Sequence, residues 1–147
     1  MHNSGANQHT DVILPQQART LAGLFRERVR HSPTSIAYRQ FDAATQQWKD
    51  TTWAEMEQTV ARWQAALRTE GLACGERVAV LLRNCREWVL FDQASLGLGL
   101  VVVPLYTEDR PENIAYILQN SGARLGTTWL PGIWSGHLQL AHNAGNI

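Results

Sequence analysis

Residues 75–128 read GERVAVLLRNCREWVLFDQASLGLGLVVVPLYTEDRPENIAYILQNSGARLGTT. Arg77 to Leu82 is a short run dominated by Val and Leu, which reads as a strand. Asn84 and Glu87 stand at cap spacing, and they open a helix that carries Trp88, Val89, Phe91 and Leu96. Leu100 to Val103 is a second aliphatic strand, stopped by Pro104. Pro111 falls in the first turn of the next helix, where a missing N–H costs little because those amides have no intrahelical partner. Ile114, Ile117 and Leu118 form the buried side of that helix, Gly122 ends it, and Arg124 to Thr128 starts a third strand. Runs of Val and Leu without alternation suit strands buried on both faces. Strands joined through helices pair in parallel, with right-handed crossovers. The expected fold class is α/β: a small parallel sheet with flanking helices.

Upstream, two more helices and a hairpin are expected. Thr20 can cap a helix in which Leu21, Leu24, Phe25 and Val29 recur at helical spacing. His31-Ser32-Pro33 ends it, because the proline ring disfavours helical geometry in the residue before it. Ile36 to Phe41 and Trp48 to Thr52 read as strands of a β-hairpin, joined by the polar, small residues Asp42 to Gln47. Thr52 and Glu55 have capping-box spacing and open a helix whose stripe is Trp53, Met56, Val60, Trp63 and Leu67. Gly71 then stands where a left-handed residue commonly closes a helix. Residues 1–19, rich in Asn, Gln, His and Ser, are expected to form a flexible arm. Residues 129–147 show no convincing period and are expected to be an irregular tail that does not belong to the fold.

Composition narrows the function classes. The 147 residues argue for one domain or part of one, and a 44% hydrophobic content is enough to build a core. Thirteen basic and 13 acidic side chains cancel, which gives no electrostatic reason to expect a nucleic-acid partner. Arg26, Arg28 and Arg30 read as one solvated helix face. Cys74 and Cys85 make no disulfide framework, so both thiols are expected free in a reducing compartment. The polar first residues do not resemble a secretory signal. The longest apolar stretch, Ala94 to Tyr106, contains Gly97, Gly99 and Pro104 and is too short for a transmembrane segment. A cytoplasmic location is the expectation.

No motif for catalysis emerges. His2, His9, His31, His137 and His142 make no HExxH, and Cys74 and Cys85 make no CxxC, so no metal site is assigned. Ser95 lies inside a helix without a GxSxG elbow and reads as a packing residue. Glu55 with Glu57, and Glu108 with Asp109, read as caps and solvated faces. Gly97 and Gly99 read as close helix-to-sheet packing or helix termination, since a lone GxG has little specificity for phosphate. No catalytic, cofactor-binding or metal-ligating residue is assigned.

Two stretches carry a family resemblance: TLAGLFRERVRHSP at 20–33, and residues 51–125 from TTWAEM through LGLGLVVVPLY and PLYTEDRPENIAYIL to GARL. They resemble, in order and spacing, the N-terminal part of AMP-forming acyl-CoA synthetases, members of the adenylate-forming superfamily. TTWAEM is similar to the family's first core motif and LGLGLVVVPLY to its second. PLYTEDRPENIAYIL is most similar to the bacterial long-chain fatty-acid branch. The resemblance implies the N-terminal part of the adenylate-forming fold, with residues 20–128 as a partial adenylation domain. It implies a parent reaction in which ATP, fatty acid and CoA give acyl-CoA, AMP and diphosphate, with Mg²⁺ assisting. The family's phosphate loop and catalytic lysine have no match among these residues. Gly126-Thr127-Thr128-Trp129-Leu130-Pro131-Gly132 is superficially similar to the loop, but Trp129 replaces a needed glycine and the lysine is absent. ATP, Mg²⁺ and CoA are therefore expected of the parent and not of this chain. The resulting expectation is a truncated N-terminal fragment of a long-chain fatty-acid–CoA ligase, inactive alone. The alternative is a non-catalytic interaction module, or half of a split synthetase with a separately encoded C-terminal remainder.

Overall fold

A computed structural model describes residues 12–128. In chain order the elements are α1 (Pro15–Ala18), α2 (Leu21–His31), β1 (Ile36–Asp42), β2 (Gln47–Thr52), α3 (Trp53–Thr69), β3 (Arg77–Leu81), α4 (Arg86–Gly97), β4 (Val101–Pro104), α5 (Pro111–Ser121) and β5 (Leu125–Thr128). β1 and β2 form an antiparallel hairpin, and β4-β3-β5 form a parallel sheet in that order. The mixed α/β class is as expected.

Local chemistry explains most boundaries. The Thr20 hydroxyl accepts the Gly23 amide at 2.9 Å and starts α2. The capping box at α3 is complete: the Glu55 carboxylate accepts the Thr52 amide at 2.7 Å, and the Thr52 hydroxyl accepts the Glu55 amide at 3.3 Å. Gly122 closes α5 in the left-handed conformation, φ 62°, which a Cβ would penalise. In the hairpin turn the Asp42 carboxylate accepts the Ala44 and Thr45 amides and pairs with Lys49. Those contacts, the lysine first, hold its pKa down at about 2.

The core joins Met56, Val60 and Leu67 of α3 to Leu90, Phe91 and Ala94 of α4, with Val78 and Val80 of β3, Leu100 and Leu125. Because strand side chains alternate, Val78 and Val80 face this cluster and the equally buried Ala79 faces the other side of the sheet.

Four expectations need correction. Part of the expected flexible arm is ordered: within residues 12–19, α1 packs on α2 with Ile13 buried. A Cβ on Gly23 would lie 1.8 Å from the Ala18 carbonyl oxygen, so glycine is what lets α1 approach. A four-residue helix is too short to show a period in sequence. Leu21 and Leu24 do not belong to the buried stripe of α2; both are exposed, and Val29 and half-buried Phe25 carry the packing. Asn84 does not cap α4; the cap position is Cys85, which makes no side-chain cap bond. Finally, Ile114, Ile117 and Leu118 are only half-buried, and no residue of α5 is fully buried.

Candidate functional site at the carboxyl ends of the strands

In an open parallel sheet, ligands lie outside the carboxyl ends of neighbouring strands whose outgoing loops turn to opposite faces. β3 and β4 meet this condition. The chain leaves β3 through α4, which packs on α2 and α3, and arrives at β4 on one side of β3. It leaves β4 through α5 and arrives at β5 on the other side of β3. Right-handed crossovers in opposite directions put α4 and α5 on opposite faces.

A crevice of about 440 Å³ opens at this point. The β3–α4 loop contributes Leu82, Arg83 and Asn84, and the first turn of α4 contributes Trp88. Pro104 to Glu108, leaving β4, form the facing wall. Its floor is tied to the sheet where the Leu105 amide donates to the Val80 carbonyl at 2.9 Å. The rim is polar and wet. Arg83 reaches Glu108 at 3.4 Å with both side chains more than 80% exposed, so the pair contributes little and leaves the mouth free to open. Tyr106 projects into solvent. Asp109 fixes the outgoing wall by accepting the Arg110 amide and the Asn113 side chain, each at 2.8 Å.

The other wall is fixed from a distance. The Gln40 side-chain oxygen, in β1, accepts the Arg86 amide, the first of α4, at 2.8 Å, and Cys85 at the cap position makes no side-chain cap bond. The Arg86 guanidinium bonds Glu87 at 2.9 Å and the Thr51 hydroxyl of β2 at 3.4 Å. Further along α4, burial pushes the Asp92 carboxyl up, and burial together with Asp92 pushes the Tyr38 phenol up.

The residues singled out in sequence scatter over the fold. Ser95 is fully buried between helix and sheet, and among the described residues its hydroxyl finds no partner. A Cβ on Gly97 would meet the Gln64 amide group of α3 at 2.1 Å, so this glycine serves helix-to-helix contact. Gly99 has φ +73° and lies against the Cys74 sulfur, so it ends α4. Cys74 is exposed, Cys85 is half-buried, and both are free. Glu55 is a cap, Glu57 is exposed, Glu108 lies on the crevice rim, and Asp109 holds the Arg110 amide and the Asn113 side chain. His31 lies on α2 beside Glu27; His2, His9, His137 and His142 fall outside the described residues. Among the described residues no three His, Cys, Asp or Glu side chains gather as metal ligands, and no helix is long and apolar enough to cross a membrane.

Gly126, Thr127 and Thr128 form β5 in register with β3, so this segment is sheet and not an open phosphate cradle; Trp129 to Gly132 lie outside the described residues. Sequence reading missed the crevice itself, because it depends on sheet order. The only hint was that polar loops follow both strands.

Comparison with known proteins gives one family match, to the AMP-binding enzyme family, over residues 25–143. A long-chain-fatty-acid–CoA ligase, FadD15 of Mycobacterium bovis, is 29% identical over 103 residues, covering 70% of this chain and 17% of the relative. A 3-hydroxybenzoate–CoA/4-hydroxybenzoate–CoA ligase of Thauera aromatica is 33% identical over 91 residues, covering 62% of this chain and 14% of the relative. Among solved structures, a Mycobacterium tuberculosis fatty acyl CoA synthetase superposes with a TM-score of 0.65 at 29% identity, over 72% of this chain and 20% of that one. The chain therefore spans at most a fifth of the length of these three relatives.

Proposed function

The chain belongs to the AMP-binding enzyme family, and from that premise we propose that residues 20–128 are the N-terminal scaffold of a fatty-acid–CoA ligase. The parent reaction joins ATP, a fatty acid and CoA to give acyl-CoA, AMP and diphosphate. The observation that carries this reading is the 29% identity to a long-chain-fatty-acid–CoA ligase over 70% of the chain, beside a family match over residues 25–143 that takes in the crevice. The long-chain assignment rests on PLYTEDRPENIAYIL, the stretch that forms one crevice wall and continues into α5.

In this reading the 147 residues contribute architecture and leave nucleotide chemistry to other parts of the ligase. ATP, Mg²⁺ and CoA would be held by groups that the described residues do not supply, so no chemical step is assigned to a residue here. The free thiols and the absence of a membrane-crossing helix among the described residues support a cytoplasmic setting.

A second reading, half of a split synthetase, is favoured by one observation: the half-buried apolar side of α5 has room for further cover. One experiment addresses both. ATP–pyrophosphate exchange is measured with a long-chain fatty acid, first with the purified chain alone and then with the C-terminal remainder of a fatty-acid–CoA ligase added. No exchange alone is expected, and exchange on mixing supports the split form. Robust exchange from the chain by itself overturns the scaffold reading.

A further inference from the structure

The β1–β2 hairpin belongs to a different sheet from the strands that form the crevice, yet it holds one crevice wall. A helix N-terminus normally takes its cap from the chain just before it. α4 does not: Cys85 makes no side-chain cap bond, and the Arg86 amide is satisfied by Gln40, 46 residues earlier in the chain. The contact is reciprocated, since the Arg86 side chain turns back toward Thr51 on the second hairpin strand. Between them, these bonds fix both hairpin strands to Arg86, which lies two residues after the crevice loop Leu82, Arg83 and Asn84 and two before the crevice residue Trp88.

We propose that the hairpin is a strut for the crevice and that Gln40 is a positioning residue, acting through the first turn of α4 to set the Leu82–Trp88 wall. The ligase reading gives this crevice its importance, but the contact itself is independent of that reading. The strut adds a directed bond to a wall whose ends, Leu82 and Trp88, pack against the core, while the Arg83 pair to Glu108 between them is long and exposed. Releasing the hairpin frees the first turn of α4, and the Arg83–Asn84 part of the wall moves with it.

Backbone amide exchange of the 147-residue chain, followed by NMR at neutral pH, tests the strut. Gln40→Leu removes the acceptor, and Gln40→Glu keeps an acceptor of the same reach. In the leucine variant the Arg86 amide is expected to exchange roughly three- to tenfold faster, the weight of one lost hydrogen bond. The Asn84 and Trp88 amide resonances shift with it, while the Val78 and Val80 amides in β3 keep their rates. The glutamate variant retains protection. Gln40→Asn, one methylene short, reproduces the loss and serves if the leucine variant does not fold. Equal protection of Arg86 in every variant overturns the proposal. So does faster exchange of Val78 and Val80 by the same factor, which would make Gln40 a general stability residue, and so does failure of the glutamate variant to hold the amide. No nucleotide enters this experiment, so the pyrophosphate-exchange result and this one can fail separately.

Discussion

Asp92 shows how one side chain can work against the fold that contains it. It lies half-buried on α4, its charge helps to raise the Tyr38 phenol, and burial raises its own pKa above the ordinary value of 3.8 while Gln93 offsets part of that rise. The sign follows from proton linkage. A carboxyl with a raised folded pKa penalises the native state in full above that pKa, and the penalty is relieved as pH falls through it toward the unfolded value. Asp92→Asn is therefore expected to stabilise the chain at neutral pH, with an advantage that shrinks as the medium is acidified toward pH 3.8. Urea denaturation at several pH values reads this directly, and an advantage that does not change with pH would refute it. Asp42 has the opposite sign: its stabilisation is present above the ordinary carboxylate range and is lost only as pH falls through about 2. Neither behaviour was legible in the sequence. Asp92 sits in an ordinary helical pattern, and its burial comes from residues far away in the chain.

Among the helices and strands, legibility followed the range of the forces involved. The α3 start was readable because Thr52 and Glu55 satisfy each other's amides within four residues, so sequence spacing and geometry are nearly the same information. Gly71 and Gly122 were readable for a similar reason, since a left-handed backbone favours glycine whatever surrounds it. At α4 the same local logic misled. Asn84 and Glu87 had the right spacing, but the helix starts one residue later, with Cys85 at the cap position, and the Arg86 amide is bonded by Gln40 from across the fold. Likewise the periodicity of α2 suggested that Leu21 and Leu24 were core, whereas the packing partners lie on the side of Phe25 and Val29. The local device at α3 yields a sharp expectation. Thr52→Ala should cost about 1 kcal/mol, the usual worth of a hydroxyl N-cap. Thr52→Ser should cost much less, because it retains the oxygen. Urea midpoints of the two variants check this, and equal loss in both would show that the Thr52 methyl, not its hydroxyl, matters.

Across the chain as folded, the two faces of the parallel sheet carry unequal shares of the stability. Val78, Val80 and Leu125 meet α3 and α4 in one continuous cluster, with Phe91 and Met56 almost completely buried at its centre. On the opposite face β3 presents the small Ala79 and the half-buried Leu81, and α5 brings no fully buried residue to it. Removing a buried phenyl ring costs about 3–5 kcal/mol, through lost transfer energy and the cavity left behind. A domain of this size holds a margin of only about 5–15 kcal/mol. Truncating a half-buried isoleucine forfeits only about 1 kcal/mol. Phe91→Ala should therefore bring the chain close to unfolding at 37 °C, while Ile117→Ala on α5 should leave a cooperative transition slightly weakened. Comparable losses from the two substitutions would mean that the α5 face is as fully packed as the α3–α4 face. In that case the room for further cover, which favours a split synthetase, would not exist.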